Sequence, residues 1–246
     1  MRLAVSWLTV LPVRGPETVD RAGAGRAIAL APVVGAGLGA ATAALLWALT
    51  TIGADPLLSG FTAVAALALI TRGMHLDGLA DTFDGLGSYG PPERARTVMK
   101  SGGAGPFGVA AIVFAVAVQA VSFGVLAASG RWFAVALAVA IGRVVVVLAC
   151  RRPLGAAPDT GFGALVAGTQ SPWTGVAWVT LAATAALAAV PGKPWLGPVV
   201  VLCAVALTVL LVRHTARRFG GLSGDVLGAV LEVSVALTAA GLSLGA

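Results

Sequence analysis

Along most of the 246 residues, apolar side chains run on without the regular polar interruptions of a water-facing helix or strand. Seven such stretches stand out, at about 27–49, 57–72, 107–128, 132–149, 174–190, 195–212 and 226–245. A mostly apolar run of roughly 17–25 residues has the length of a helix that crosses a bilayer. The pattern predicts an all-α, polytopic helical membrane bundle of about seven transmembrane helices, forming one integral membrane domain over 1–246. The second stretch is short and runs into a polar segment. Pro191-Gly192-Lys193-Pro194 joins the fifth to the sixth as a tight turn.

Composition agrees. Hydrophobic residues make up 58% of the chain and charged residues 11%, with a mean hydropathy of +0.96. Soluble domains carry about 25% charged residues, so this chain has too little polar surface to face water on all sides. Trp47, Trp132, Trp173, Trp178 and Trp195 lie near the ends of apolar runs, where ring systems anchor at the bilayer interface. Cys150 and Cys203 sit in or beside apolar stretches, and no CxxC or Cys/His cluster exists, which excludes zinc and iron–sulfur sites. Residues 1–26 carry Arg2, Arg14, Asp20, Arg21 and Arg26, with no apolar region before the charges that reads as a cleaved leader.

Charge sets an orientation. With the N-terminus cytoplasmic, Arg2, Arg14, Arg21, Arg26, Arg72, Arg94, Arg96, Lys100, Arg151, Arg152, Arg213, Arg217 and Arg218 share the cytoplasmic side, thirteen of the sixteen basic residues. Only Arg131 and Lys193 fall opposite, and Arg143 lies inside a span. This asymmetry predicts a multi-pass protein of the cytoplasmic membrane, N-terminus inside. The net charge of +6 then reflects topology and attraction to anionic headgroups of the lipid bilayer. No basic stripe has aromatics interleaved, so nucleic acid is not an expected partner. The polar segments 72–106, 151–172 and 213–225 all fall on the cytoplasmic side. A transporter places ionisable groups at the membrane midplane. Here the spans hold few, Arg143 and Glu232 among them, and Glu232 is one partner available to Arg143. An enzyme at the cytoplasmic membrane face is the reading that follows.

Its chemistry is concentrated in His75-Leu76-Asp77-Gly78-Leu79-Ala80-Asp81-Thr82-Phe83-Asp84. The chain has only ten acidic residues and two histidines. Asp77, Asp81 and Asp84 are spaced i, i+4, i+7 and share one face of a helix. Three carboxylates on one face repel unless a cation lies among them, and hard oxygen ligands suit Mg²⁺. Gly78 and Gly85 beside them allow close approach of a substrate to the backbone. Pro91-Pro92 starts a short amphipathic helix ending near Lys100. Two glycine turns follow, Ser101 to Gly108 and Gly220 to Asp225, whose N–H groups suit phosphate. Carboxylates for metal, cations for phosphate and glycine turns together point to diphosphate chemistry.

At this point the chain resembles a known family. His75 to Asp81, with Asp84-Gly85 behind, is similar to the hallmark of the adenosylcobinamide-GDP ribazoletransferases, also called cobalamin synthases. The resemblance extends through Trp7-Leu8-Thr9-Val10-Leu11-Pro12-Val13, Val98-Met99-Lys100, Gly105-Pro106-Phe107-Gly108, Gly142-Arg143 and Gly161-Phe162-Gly163. It ends in Gly221-Leu222-Ser223-Gly224-Asp225-Val226-Leu227-Gly228-Ala229, followed by Glu232. The chain departs from the family at Ser101-Gly102-Gly103, where a charged pair is common, and at Val235, where a second acidic residue is common.

The resemblance implies an integral membrane enzyme. Adenosylcobinamide-GDP and α-ribazole, or α-ribazole 5′-phosphate, give adenosylcobalamin, or its 5′-phosphate, and GMP, with Mg²⁺. On this reading the ribazole 5′-hydroxyl attacks the phosphorus attached to cobinamide. Asp77, Asp81 and Asp84 hold the metal. Asp84 is the first choice of base and Asp225 the second, and His75 bonds a phosphate or orients Asp77. Lys100 and Arg143 serve the phosphates, with Gly78, Gly85, Gly105 and Ser223 beside them. Two alternatives stand next to it. CDP-alcohol phosphotransferases of the phospholipid type share a related motif but carry Ala-Arg where this chain has Ala80-Asp81. A membrane transporter is the other. A homo-oligomer is left open.

Overall fold

All seven apolar stretches form helices. The structure is a computed structural model that describes residues 1–16, 18–158 and 161–245. In chain order the helices are α1 (Arg2–Leu8), α2 (Arg21–Ala29), α3 (Ala31–Thr51), α4 (Pro56–Ile70), α5 (Met74–Gly87) and α6 (Pro92–Met99). There follow α7 (Pro106–Ala128), α8 (Trp132–Ala149), α9 (Gly161–Val166), α10 (Pro172–Ala185), α11 (Leu196–Phe219) and α12 (Gly224–Ser243). A 3₁₀ turn, Ala186–Ala188, extends α10. The described residues contain no strand, only isolated bridges between Arg151 and Gln170 and between Ala156 and Leu222.

The helices α3, α7, α8, α11 and α12 are each long and apolar enough to cross a membrane. The other two apolar helices are shorter: α4 has 15 residues, and α10 with its 3₁₀ turn ends at Ala188. The architecture is the expected polytopic helical bundle, with five such helices, or six if α4 and α5 count as one bent span. The physical reason lies at Arg72 and Gly73. Both adopt left-handed backbone, at φ 58° and 67°, which ends α4. Helix α5 then leaves at 93° and is not among the five.

Local signals set the helix starts. Pro56, Pro92, Pro106 and Pro172 occupy first-turn positions where no N–H is needed. Asp20, Asp55, Ser171 and Ser223 accept hydrogen bonds from the first turns of α2, α4, α10 and α12. Small residues then bring helices together, as in other membrane bundles. Gly39 lies on Ala136, seating α3 on α8, and Gly60 lies on Ala120, seating α4 on α7. Helices α8 and α12 are mostly buried, while α3, α7 and α11 face largely outward. At the end away from α5, the buried Arg131 donates to the carbonyls of Leu242 (3.0 Å) and Ala189 (2.8 Å), tying α12 to the end of the 3₁₀ turn.

Candidate active site

The site is built where α5 crosses the start of α12. A Cβ on Gly78 would come 2.9 Å from Asp225 Cα, and one on Gly228 would come 3.0 Å from the His75 carbonyl oxygen. Both positions must therefore be glycine for the backbones to approach this closely. The crossing brings Asp77 and Asp81 of α5 beside Asp225 in the first turn of α12. These three carboxylates, Lys100 and Gly102 to Ala104 line a basin of about 360 Å³.

A second cavity of about 350 Å³ opens on the other flank of Asp77 and Asp225. Its walls include Trp7, Ile28, Val146, Phe162 and Leu231, with Arg143 also lining it. The Trp7 and Phe162 rings meet edge to face, centroids 5.0 Å apart at 70°, a favoured aromatic geometry. Asp77 and Asp225 thus form the divide between a polar basin and an aromatic-walled cavity.

The basin is electrostatically crowded. Burial first, and then the charges of Asp77, Asp225 and Asp84, push the Asp81 carboxyl up to about 6. A cation relieves this repulsion. Among the described residues, no three His, Cys, Asp or Glu side chains converge into a preformed metal cage. Mg²⁺ does not need one, since it is commonly held by one or two carboxylates together with substrate phosphates and water. Carboxylates and a lysine around one open basin fit that mode.

The remaining expected residues are placed differently. Asp84 is 8% exposed and accepts from Gly105 N–H (2.6 Å) and Gly108 N–H (2.8 Å), one on each oxygen. It clamps the turn before α7 to α5 and does not line the basin. The Gly105 N–H, expected to meet phosphate, is spent on Asp84. Gly85 makes room for Met99 and Phe219, since a Cβ there would come 2.7 Å from Met99 Cγ. Ser223 caps α12 by accepting from Val226 N–H at 3.3 Å.

His75 and Arg143 line the aromatic-walled cavity and also reach a small space beyond it, next to Gln119 and Glu232. The His75 Nδ1 lies 3.9 Å from Glu232 Oε1, and Gln119 Nε2 donates to Glu232 Oε2 at 2.7 Å. Arg143, only 3% exposed, donates to the Val139 carbonyl at 3.2 Å. Its Nε has no partner among the described residues, and it forms no ion pair there with Glu232. Lys100 and Arg143, expected to act together on phosphate, therefore border different cavities.

Sequence reasoning missed Gln119 and the Trp7–Phe162 wall. A lone amide in the apolar run of α7 was the available signal for Gln119. Nothing local announces that Phe162 meets Trp7.

Comparison with known proteins fits this arrangement. The family described as cobalamin-5-phosphate synthase matches residues 1–243. An adenosylcobinamide-GDP ribazoletransferase of Corynebacterium efficiens is 39% identical over 244 residues, covering 96% of this chain and 88% of its own length. Its namesake in a Nocardioides species is 40% identical over 237 residues, 96% of this chain and 95% of its own. The one from Frankia casuarinae is 38% identical over 255 residues, 96% and 91% respectively. No solved structure matches the chain. The helical bundle, the carboxylates gathered across α5 and α12, and a match along nearly the whole length lead to one conclusion: the chain belongs to the cobalamin-5-phosphate synthase family.

Proposed function

We propose that the chain joins adenosylcobinamide-GDP to α-ribazole 5′-phosphate, or to α-ribazole, releasing GMP. The observation that carries this is the pair of cavities on either side of Asp77 and Asp225. One is polar and suits a diphosphate, and the other is apolar and aromatic and suits a flat organic group. The basic ends of the helices support a site on the cytoplasmic face of the cell membrane.

Lys100 steadies the diphosphate in the basin. Asp77 and Asp81 would hold Mg²⁺, which when bound supplies neutralisation of the phosphate charge. A hydroxyl of the acceptor forms a new bond to the phosphorus on the cobinamide side. The bond from that phosphorus to the bridging oxygen breaks, and GMP leaves with the electron pair. The hydroxyl proton passes to Asp225, a carboxylate bordering both cavities. Asp84, first choice as base on sequence, is assigned a positioning role because both its oxygens are occupied. The 5′-hydroxyl is revised too. An acceptor already phosphorylated at its 5′ oxygen cannot attack through that oxygen, so another ribose hydroxyl is the nucleophile for that acceptor. The family description, which names a 5-phosphate product, favours this course.

The test is direct. Purified protein is given adenosylcobinamide-GDP, α-ribazole 5′-phosphate and Mg²⁺, and products are followed by mass. GMP and the joined corrinoid should form in equal amounts, and only with acceptor present. GMP release without joining would overturn the proposal.

A further inference from the structure

Another face of α2 borders a separate pocket of about 430 Å³, between α2 and the segment 168–174. Arg21, Arg26 and Arg152 line it, with Thr169, Ser171 and Thr174. None of the three arginines forms an ion pair among the described residues. Arg21 donates to the carbonyls of Ala164 and Ala167, and Arg152 Nε to that of Gly168. Each guanidinium carries five N–H donors, so donors and positive charge remain. Asp20, the acid next to Arg21, is engaged by the Gly23 N–H at 2.7 Å.

A separate apolar groove of about 380 Å³ lies between α3, α8 and α10, and its wall meets that of the basic pocket at one hydrogen bond. At the seam, Trp178 Nε1 donates to the Ala29 carbonyl at 3.0 Å. Ala29 lines the basic pocket and Trp178 lines the groove. Along α8 the groove runs from Val144 to Phe133. At 1.5 Å per residue that is roughly 16 Å, about half the ~30 Å hydrocarbon thickness of a bilayer. The groove has the depth of one leaflet, and the pocket beside it carries three arginines that form no ion pair among the described residues.

We propose that this pocket and groove bind an anionic phospholipid, its headgroup phosphate on Arg21, Arg26 and Arg152 and one acyl chain along α8. Cationic pockets between membrane helices are suited to such headgroups. The site does not depend on the transferase reading, since it lies away from the carboxylate basin.

Native mass spectrometry of the detergent-purified full chain tests it, with dioleoyl-phosphatidylglycerol and dioleoyl-phosphatidylcholine as probes. The wild type should retain the anionic lipid preferentially. Arg26→Gln and Arg152→Gln should each lower that preference roughly fivefold, the factor of one cation at a lipid surface. Ala36→Phe, which fills the groove, should lower retention of both lipids. Inorganic phosphate and chain-free glycerophosphoglycerol should not displace the lipid. Unfolding temperatures report whether each variant is folded. The Arg26 guanidinium makes no hydrogen bond among the described residues, so that variant decides the question if the other unfolds. Equal retention of the two lipids by the wild type would overturn the proposal. So would an unchanged preference in Arg26→Gln, or displacement by inorganic phosphate alone.

Discussion

Gly78 rests on the backbone of Asp225: a Cβ at position 78 would lie 2.7 Å from the Asp225 carbonyl oxygen. This contact joins the carboxylates of α5 to the one on α12. A methyl group there must push the helices apart. Gly78→Ala should cut turnover about 10²-fold, the scale of a small misplacement of reacting groups, while the chain stays inserted and folded. Gly37→Ala is the control, because a Cβ at Gly37 meets nothing within 4 Å. Steady-state GMP release by the two variants checks this. Equal rates would remove the crossing from the account.

Asp84 should behave unlike its neighbours. Asn at this position turns an acceptor into a donor facing a glycine N–H. The cost is about 1–3 kcal/mol for a buried group left unsatisfied. Asp84→Asn should lower the unfolding temperature and lose activity that added Mg²⁺ does not restore. Asp77→Asn and Asp81→Asn should keep their stability and recover part of their activity at high Mg²⁺. Melting curves and Mg²⁺ titrations on the three variants distinguish these outcomes.

The raised Asp81 carboxyl carries a pH signature. Its folded value of about 6 lies above the usual ~3.9. Protons therefore compete with metal as pH falls through 6. The Mg²⁺ concentration for half-maximal activity should be flat above about pH 7 and rise below 6. In chelator the sign for stability is opposite: the folded chain binds that proton more tightly than the unfolded chain, so stability increases as pH falls from 6 towards 4. Asp81→Asn should flatten both profiles.

Gln119, buried, and Glu232, half-buried, form a pair away from the basin, 2.7 Å apart. Gln119→Leu leaves the Glu232 carboxylate without that donor and should destabilise the chain by about 1–3 kcal/mol. Gln119→Asn, with a shorter amide, should recover little. Thermal unfolding in detergent measures both.

Much of this was legible in the sequence. The apolar runs marked every apolar helix, because length and hydropathy are local properties. The cluster around Asp77 marked the site, because carboxylates are scarce in this chain. Helix breaks and crossings were not legible. The left-handed pair Arg72–Gly73 ended α4 early, although Gly73 is one glycine among 33. Helical spacing grouped Asp84 with Asp77 and Asp81, yet the turn at Gly105 and Gly108 folds over the end of α5 and takes its oxygens. That turn lies more than twenty residues away, and periodicity says nothing of such contacts. Arg143 read as a cation near phosphate, whereas packing of α8 against α3 and α12 aims it at the aromatic-walled cavity.

The central claim is that Asp77, Asp81 and Asp225 form one metal-dependent basin for the diphosphate. Single-turnover GMP release tests it most directly, with excess enzyme, adenosylcobinamide-GDP and α-ribazole 5′-phosphate, in Mg²⁺ and in EDTA. Asp77→Asn, Asp81→Asn and Asp225→Asn are compared with Asp20→Asn, whose carboxylate caps α2. The account predicts no release in EDTA, recovery on adding Mg²⁺, losses of at least ~10²-fold in the three basin variants, and a near-normal rate for Asp20→Asn. Full release in EDTA, or folded basin variants releasing GMP as fast as Asp20→Asn, would contradict it.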